Sequence, residues 1–127
     1  MAISRYIAIS LALLSLLALN AHRVSAQARG SFDEEGVIET VKSQLMQMSG
    51  EAGSLRAFCT ENNIKGQFVF DLTIEGKGNV LTVFLVSSTT EEVQAKNSLK
   101  DKLYSIRFEN VKIPKKERVK FRHTLNF

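Results

Sequence analysis

Gln67-Phe68-Val69-Phe70-Asp71-Leu72-Thr73-Ile74-Glu75 is the stretch on which the fold turns. Phe68, Phe70, Leu72 and Ile74 fall on one side of an extended chain, and Gln67, Val69, Asp71 and Thr73 on the other. A period of two is that of a β-strand with one buried face. Glu75-Gly76-Lys77-Gly78-Asn79 follows as a turn with two glycines able to take positive φ. Val80 to Val86 again has strand composition, with Leu81, Val83 and Leu85 expected to face opposite to Val80, Thr82, Phe84 and Val86. Two strands joined by so short a turn make a hairpin.

Toward the C-terminus the period changes. Ser87 to Glu92 offers hydroxyl caps and then acidic residues, a helix start. Ala95, Leu99, Leu103 and Ile106 form its apolar stripe, with Val93 near its beginning. Phe108 to Pro114 reads as a connection, and Pro114 stops any regular element. Val119, Phe121, His123, Leu125 and Phe127 then alternate with Arg118, Lys120, Arg122, Thr124 and Asn126, which predicts a third strand. On the N-terminal side, Asp33-Glu34-Glu35 suits a helix N-terminus, and Ile38, Val41, Leu45 and Met48 recur at helical spacing up to Ser49-Gly50. A short helix is predicted from Ser54 to Asn62, capped by Ser54, with Leu55, Phe58 and Cys59 on one side.

The order helix, strand, strand, helix, strand constrains the topology. A helix between strands two and three returns the chain along the sheet, so strand three runs parallel to strand two and antiparallel to strand one. Beside strand one it gives an α+β fold: a three-stranded antiparallel sheet in the order 2-1-3, with a right-handed crossover and the helices packed on one face.

Residues 1–26 carry the three parts of an export signal: Arg5 in a basic n-region, the apolar run Ile7 to Leu19, and small residues at Val24-Ser25-Ala26 or Ala26-Gln27-Ala28. The apolar run is shorter than the roughly 20 residues that span a bilayer, so cleavage after Ala26 or Ala28 and a periplasmic or secreted location are expected. Residues 27–36 are expected to be a flexible lead-in, and residues 37–127 one domain. At 44% hydrophobic and 24% charged residues with one proline, the composition excludes a disordered, collagen-like or disulfide-dense chain. Charge is unevenly spread: Gln27 to Glu92 has 5 basic and 10 acidic residues, Val93 to Phe127 has 10 and 3. The basic block suits an anionic surface or a solvated face; outside the cytoplasm, nucleic acid is not an expected partner.

From Cys59 to Phe127 the chain resembles the C-terminal domain of TonB-type energy transducers, and more closely the AgmX-like gliding-motility domains. The resemblance is carried by Ile64-Lys65-Gly66 before the first strand, Gly78-Asn79-Val80, Val86-Ser87-Ser88, Ile106-Arg107-Phe108 and the terminal Leu125-Asn126-Phe127. His123-Thr124 stands where the family often has Tyr-Pro, and no cysteine near Asn97 and Ser98 accompanies Cys59. With neither an uncleaved anchor nor a proline-rich linker expected here, the resemblance implies a detached, non-enzymatic interaction domain. It implies pairing of the last strand's edge, Val119, Lys120, Phe121, Arg122, His123, Thr124 and Leu125, with an extended segment of a protein in the cell envelope, or with a second copy of the domain. The basic side chains favour an acidic partner.

Chemistry offers less. His123 is the only histidine after the signal and has no second histidine with which to build a transition-metal site. Cys59, the sole cysteine, can form no internal disulfide; paired with His123 it defines the alternative function, a small secreted thiol-dependent enzyme. Gly76 and Gly78 lack the strand-to-helix context of a phosphate loop, Ser87 and Ser88 read as capping residues, and Phe68 and Phe70 read as core rather than an RNA-stacking pair. No cofactor, metal or small-molecule substrate is expected.

Overall fold

A computed structural model describes residues 32–127. The expected signal, 1–26, and residues 27–31 of the expected lead-in lie outside the described residues.

The alternating stretch is the central strand. β1 (Gln67–Glu75) pairs antiparallel with β2 (Asn79–Ser88) on one side and β3 (Val119–Asn126) on the other, giving the order β2-β1-β3. Phe68, Phe70, Leu72 and Ile74 are all buried. Three helices cover that face: α1 (Glu34–Ser49) lies on β3 and against α2 (Ser54–Glu61), and α3 (Val93–Tyr104) lies on β2. Val41 and Leu45 of α1, Leu55 and Cys59 of α2, and Ala95, Leu99 and Leu103 of α3 complete the core. The expected α+β architecture and strand order are therefore those observed.

Four local features differ from expectation. First, α1 begins at Glu34, so residues 34–36 of the expected lead-in are helical. Asp33 Oδ1 accepts the Gly36 N–H at 3.0 Å with Glu34 and Glu35 in the first turn, and a cap of this kind contributes about 1 kcal/mol, enough to offset a helical glycine's cost of about 1 kcal/mol.

Second, β2 does not hold one phase. Val80 pairs with Ile74, Val83 with Leu72 and Leu85 with Phe70, and two register shifts leave Leu81 and Val86 as extra residues. Each is a bulge that resets the alternation, so Val80 joins Val83 and Leu85 on the covered face while Phe84 stays exposed.

Third, the predicted hydroxyl caps do other work. Ser54 is the first helical residue of α2, whose N-cap is Gly53. The N-cap of α3 is Glu92, without a side-chain bond; Thr89 instead accepts the Gln67 N–H at its hydroxyl (2.9 Å) and donates its own N–H to the Gln67 carbonyl (3.0 Å), extending the β2–β1 pairing beyond Ser88.

Fourth, the connection after α3 is part of the core. Phe108, Val111 and Ile113 are buried. The Phe108 N–H donates to Gly78 O (2.9 Å) and the Ile113 N–H to Gly76 O (2.8 Å), clasping the hairpin turn. Gln44 of α1 holds Glu109 twice: its amide donates to the Glu109 carbonyl at 2.7 Å, and its oxygen accepts the Glu109 N–H at 2.9 Å.

Candidate partner-binding edge

An antiparallel ladder alternates residues whose N–H and C=O face the neighbouring strand with residues whose groups face away. Gly66 and Phe127 exchange both hydrogen bonds, each 2.9 Å, which sets the phase of the β1–β3 ladder. Counting back through the unbroken register, Leu125, His123, Phe121 and Val119 face Phe68, Phe70, Leu72 and Ile74 with their backbone groups directed at β1. The N–H and C=O of Lys120, Arg122 and Thr124 therefore point out of the sheet, and among the described residues no hydrogen bond meets them. The edge closes at Asn126, whose outward carbonyl accepts from Arg56 Nη2 at 2.9 Å. Arg56 also donates through Nε to the Ser49 carbonyl at 2.7 Å and lies 5.4 Å from the Phe127 ring centre, tying α2 to the end of α1 and to the end of the chain. No local pattern marks Arg56 in the sequence.

The seven predicted site residues thus divide by role. The side chains of Val119, Phe121 and Leu125 are buried under the helices, so they can support an added strand but not meet it across the open face. Lys120, Arg122 and Thr124 are exposed and carry the outward backbone groups; His123 is half-buried. Arg122 forms a forked pair with Asp71, directly across on β1, at 2.9 and 3.1 Å. The Arg122 hydrogen bond holds the Asp71 carboxyl below its ordinary range, and the Arg122 pKa is raised in turn. Such an exposed pair adds little stability, but it fixes the guanidinium beside the edge. Burial first, and the Lys42 charge second, lower the His123 pKa and favour its neutral imidazole.

β2 is the other edge of the sheet and is already blunted. It carries the two bulges, and its first residue bridges to Arg107. Bulges and covering segments protect an edge against added strands; β3 has no bulge in its pairing with β1.

Cys59 belongs to the buried core. It is 1% exposed, and burial pushes its thiol up to about 11 against a smaller opposing effect of Arg56. A thiol of that kind is protonated at pH 7 and poorly reactive, and no hydrogen bond joins it to His123. Cys59→Ala is expected to cost about 1 to 2 kcal/mol of stability and to leave binding unchanged. In the native protein a maleimide should label Cys59 only at the rate of unfolding; rapid labelling without unfolding would support the thiol-enzyme reading. Among the described residues no three His, Cys, Asp or Glu side chains gather to hold a metal ion, and no helix is long and apolar enough to cross a membrane.

No protein-family model, curated protein or solved structure matches this chain.

Proposed function

We propose that this chain is an exported, non-enzymatic interaction domain, similar to a detached C-terminal domain of the TonB type, which binds an extended segment of a cell-envelope protein alongside β3. One observation carries the reading: a regular edge whose Lys120, Arg122 and Thr124 backbone groups face outward without partners among the described residues. Adding a strand there gives main-chain hydrogen bonds for affinity and leaves the flanking side chains to select the sequence. Lys120 and Arg122 favour an acidic segment. Antiparallel pairing of two β3 edges about a two-fold axis would set the basic side chains of one copy across from those of the other, and like charges in that position are destabilising. A separate acidic partner is therefore favoured over a homodimer.

Proline scanning tests the edge. Thr124→Pro removes an outward N–H and should leave the β1–β3 ladder intact, whereas His123→Pro removes a rung to Phe70 and should lower stability by about 3 kcal/mol or more. With an extended peptide of alternating Glu and Val as probe, binding should weaken about tenfold or more in Thr124→Pro and fall as salt is raised. Binding that is indifferent to both Thr124→Pro and salt excludes β3 as the site.

A further inference from the structure

We propose that the cleft between the hairpin turn and the connection after α3 is a binding site for a phosphate-bearing ligand with at least two negative charges. The cleft is open to solvent, has a volume of about 820 Å³ and is lined by Lys77, Arg107, Phe108, Glu109, Asn110, Val111 and Lys112. That volume lies within the roughly 300 to 1,000 Å³ common for small-ligand sites, and the lining carries three cations against one carboxylate.

The backbone on either side of the cations is fixed. Lys77 sits between Gly76 and Gly78, the two residues whose carbonyls accept the N–H groups of Ile113 and Phe108. Lys112 directly precedes Ile113, and Arg107 directly precedes Phe108. Each positive side chain therefore grows from a residue next to a rung of a two-rung ladder between segments some thirty residues apart in the chain. Glu109 is fixed independently through both its backbone groups by Gln44. A frame assembled in advance is what lets long cationic side chains act together on one ligand.

The charges are also uncompensated. Among the described residues the one ion pair is Arg122–Asp71 on the sheet, so neither Glu109 nor any other carboxylate pairs with Lys77, Arg107 or Lys112. Lys115, Lys116 and Arg118, all exposed, add three positive charges along the same connection against the one negative charge of Glu117. The side chains of Phe108, Val111 and Ile113 are buried in the core, and what remains exposed along the segment includes Arg107, Glu109, Asn110 and Lys112. One arginine and two lysines lining a single cleft suit phosphate: arginine offers a planar fork and lysine a point charge.

The phosphate could belong to a soluble compound or to a lipid headgroup, and two probes with the full chain separate these. Inorganic pyrophosphate, followed by amide chemical shifts, should saturate with changes confined to residues 76–78 and 107–112. Vesicles containing cardiolipin, whose headgroup carries two phosphates, should retain the chain, and phosphatidylcholine vesicles should not, if the site accepts a headgroup at a surface. Arg107→Gln/Lys112→Gln, and separately Lys77→Gln, should weaken whichever binding is seen by about tenfold or more. Lys96→Gln/Lys100→Gln on α3, which removes the same charge from residues that do not line the cleft, should change it by less than about twofold. Thermal unfolding of each variant checks that the fold is retained. Saturable binding to pyrophosphate alone assigns a soluble ligand, and binding to anionic vesicles alone assigns a headgroup. Binding to neither probe, or equal losses in the cleft and α3 variants, overturns the proposal.

Discussion

Phe108→Ala is expected to destabilise the protein by about 3 to 5 kcal/mol, the usual cost of truncating a buried phenylalanine. Phe108 belongs to no helix or strand, yet it is 2% exposed and ranks among the largest fully buried side chains of the domain. Its backbone is fixed as well, through the N–H bond to Gly78 O, so the segment cannot easily collapse into the space left by the ring. Small domains are stable by only about 5 to 15 kcal/mol in total; one truncation outside all regular structure should therefore remove a large share. Urea unfolding measures it, with Lys115→Ala/Lys116→Ala as the comparison: both lysines are exposed in the same connection and should cost less than about 1 kcal/mol together. If Phe108→Ala costs no more than the lysine variant, the connection is not part of the cooperative core.

The parts of the fold that were legible in the sequence are those where burial has a period. Phe68, Phe70, Leu72 and Ile74 alternate because one face of β1 is covered along its whole length, and the same holds for Val119, Phe121 and Leu125 on β3. On β2 the bulges at Leu81 and Val86 shift the phase, and a run such as Val80-Leu81-Thr82-Val83-Phe84-Leu85-Val86, apolar at six of seven positions, does not mark where an extra residue sits. Phe108, Val111 and Ile113 follow neither period, since irregular backbone turns each side chain inward by its own tertiary bonds.

The candidate site was legible to the same degree. Topology placed β3 at an edge, which element order alone can supply. Which of its seven residues face outward depends on register, fixed here by the Gly66–Phe127 pair. Lys77 and Arg107 become neighbours through tertiary pairing that leaves no local pattern.

Gly78 is where that pairing is least tolerant of change, and Gly78→Ala is expected to cost about 3 to 5 kcal/mol. Two effects combine. Its φ of 94° lies where residues with a Cβ are strained, by about 1 to 3 kcal/mol, and a Cβ would be driven into the backbone carbonyl of Phe108. Relief requires the connection to move off the turn, which loosens the Phe108 and Ile113 bonds and partly exposes their side chains; overpacking of this kind adds about 1 to 3 kcal/mol. Gly76 supplies the internal comparison. It too has positive φ, 56°, but a Cβ there would meet nothing closer than the Asn79 side-chain nitrogen at 3.7 Å, an ordinary contact. Gly76→Asn should therefore cost only about 1 kcal/mol, because asparagine tolerates the left-handed region. Turn conformation alone would separate the two substitutions only by alanine's poorer tolerance of positive φ, about 1 kcal/mol, whereas close approach of the connection makes Gly78→Ala the larger by at least about 2 kcal/mol. Urea unfolding of the two variants side by side decides between them. Amide exchange at Phe108 and Ile113 adds a second reading: protection should be lost in Gly78→Ala and kept in Gly76→Asn.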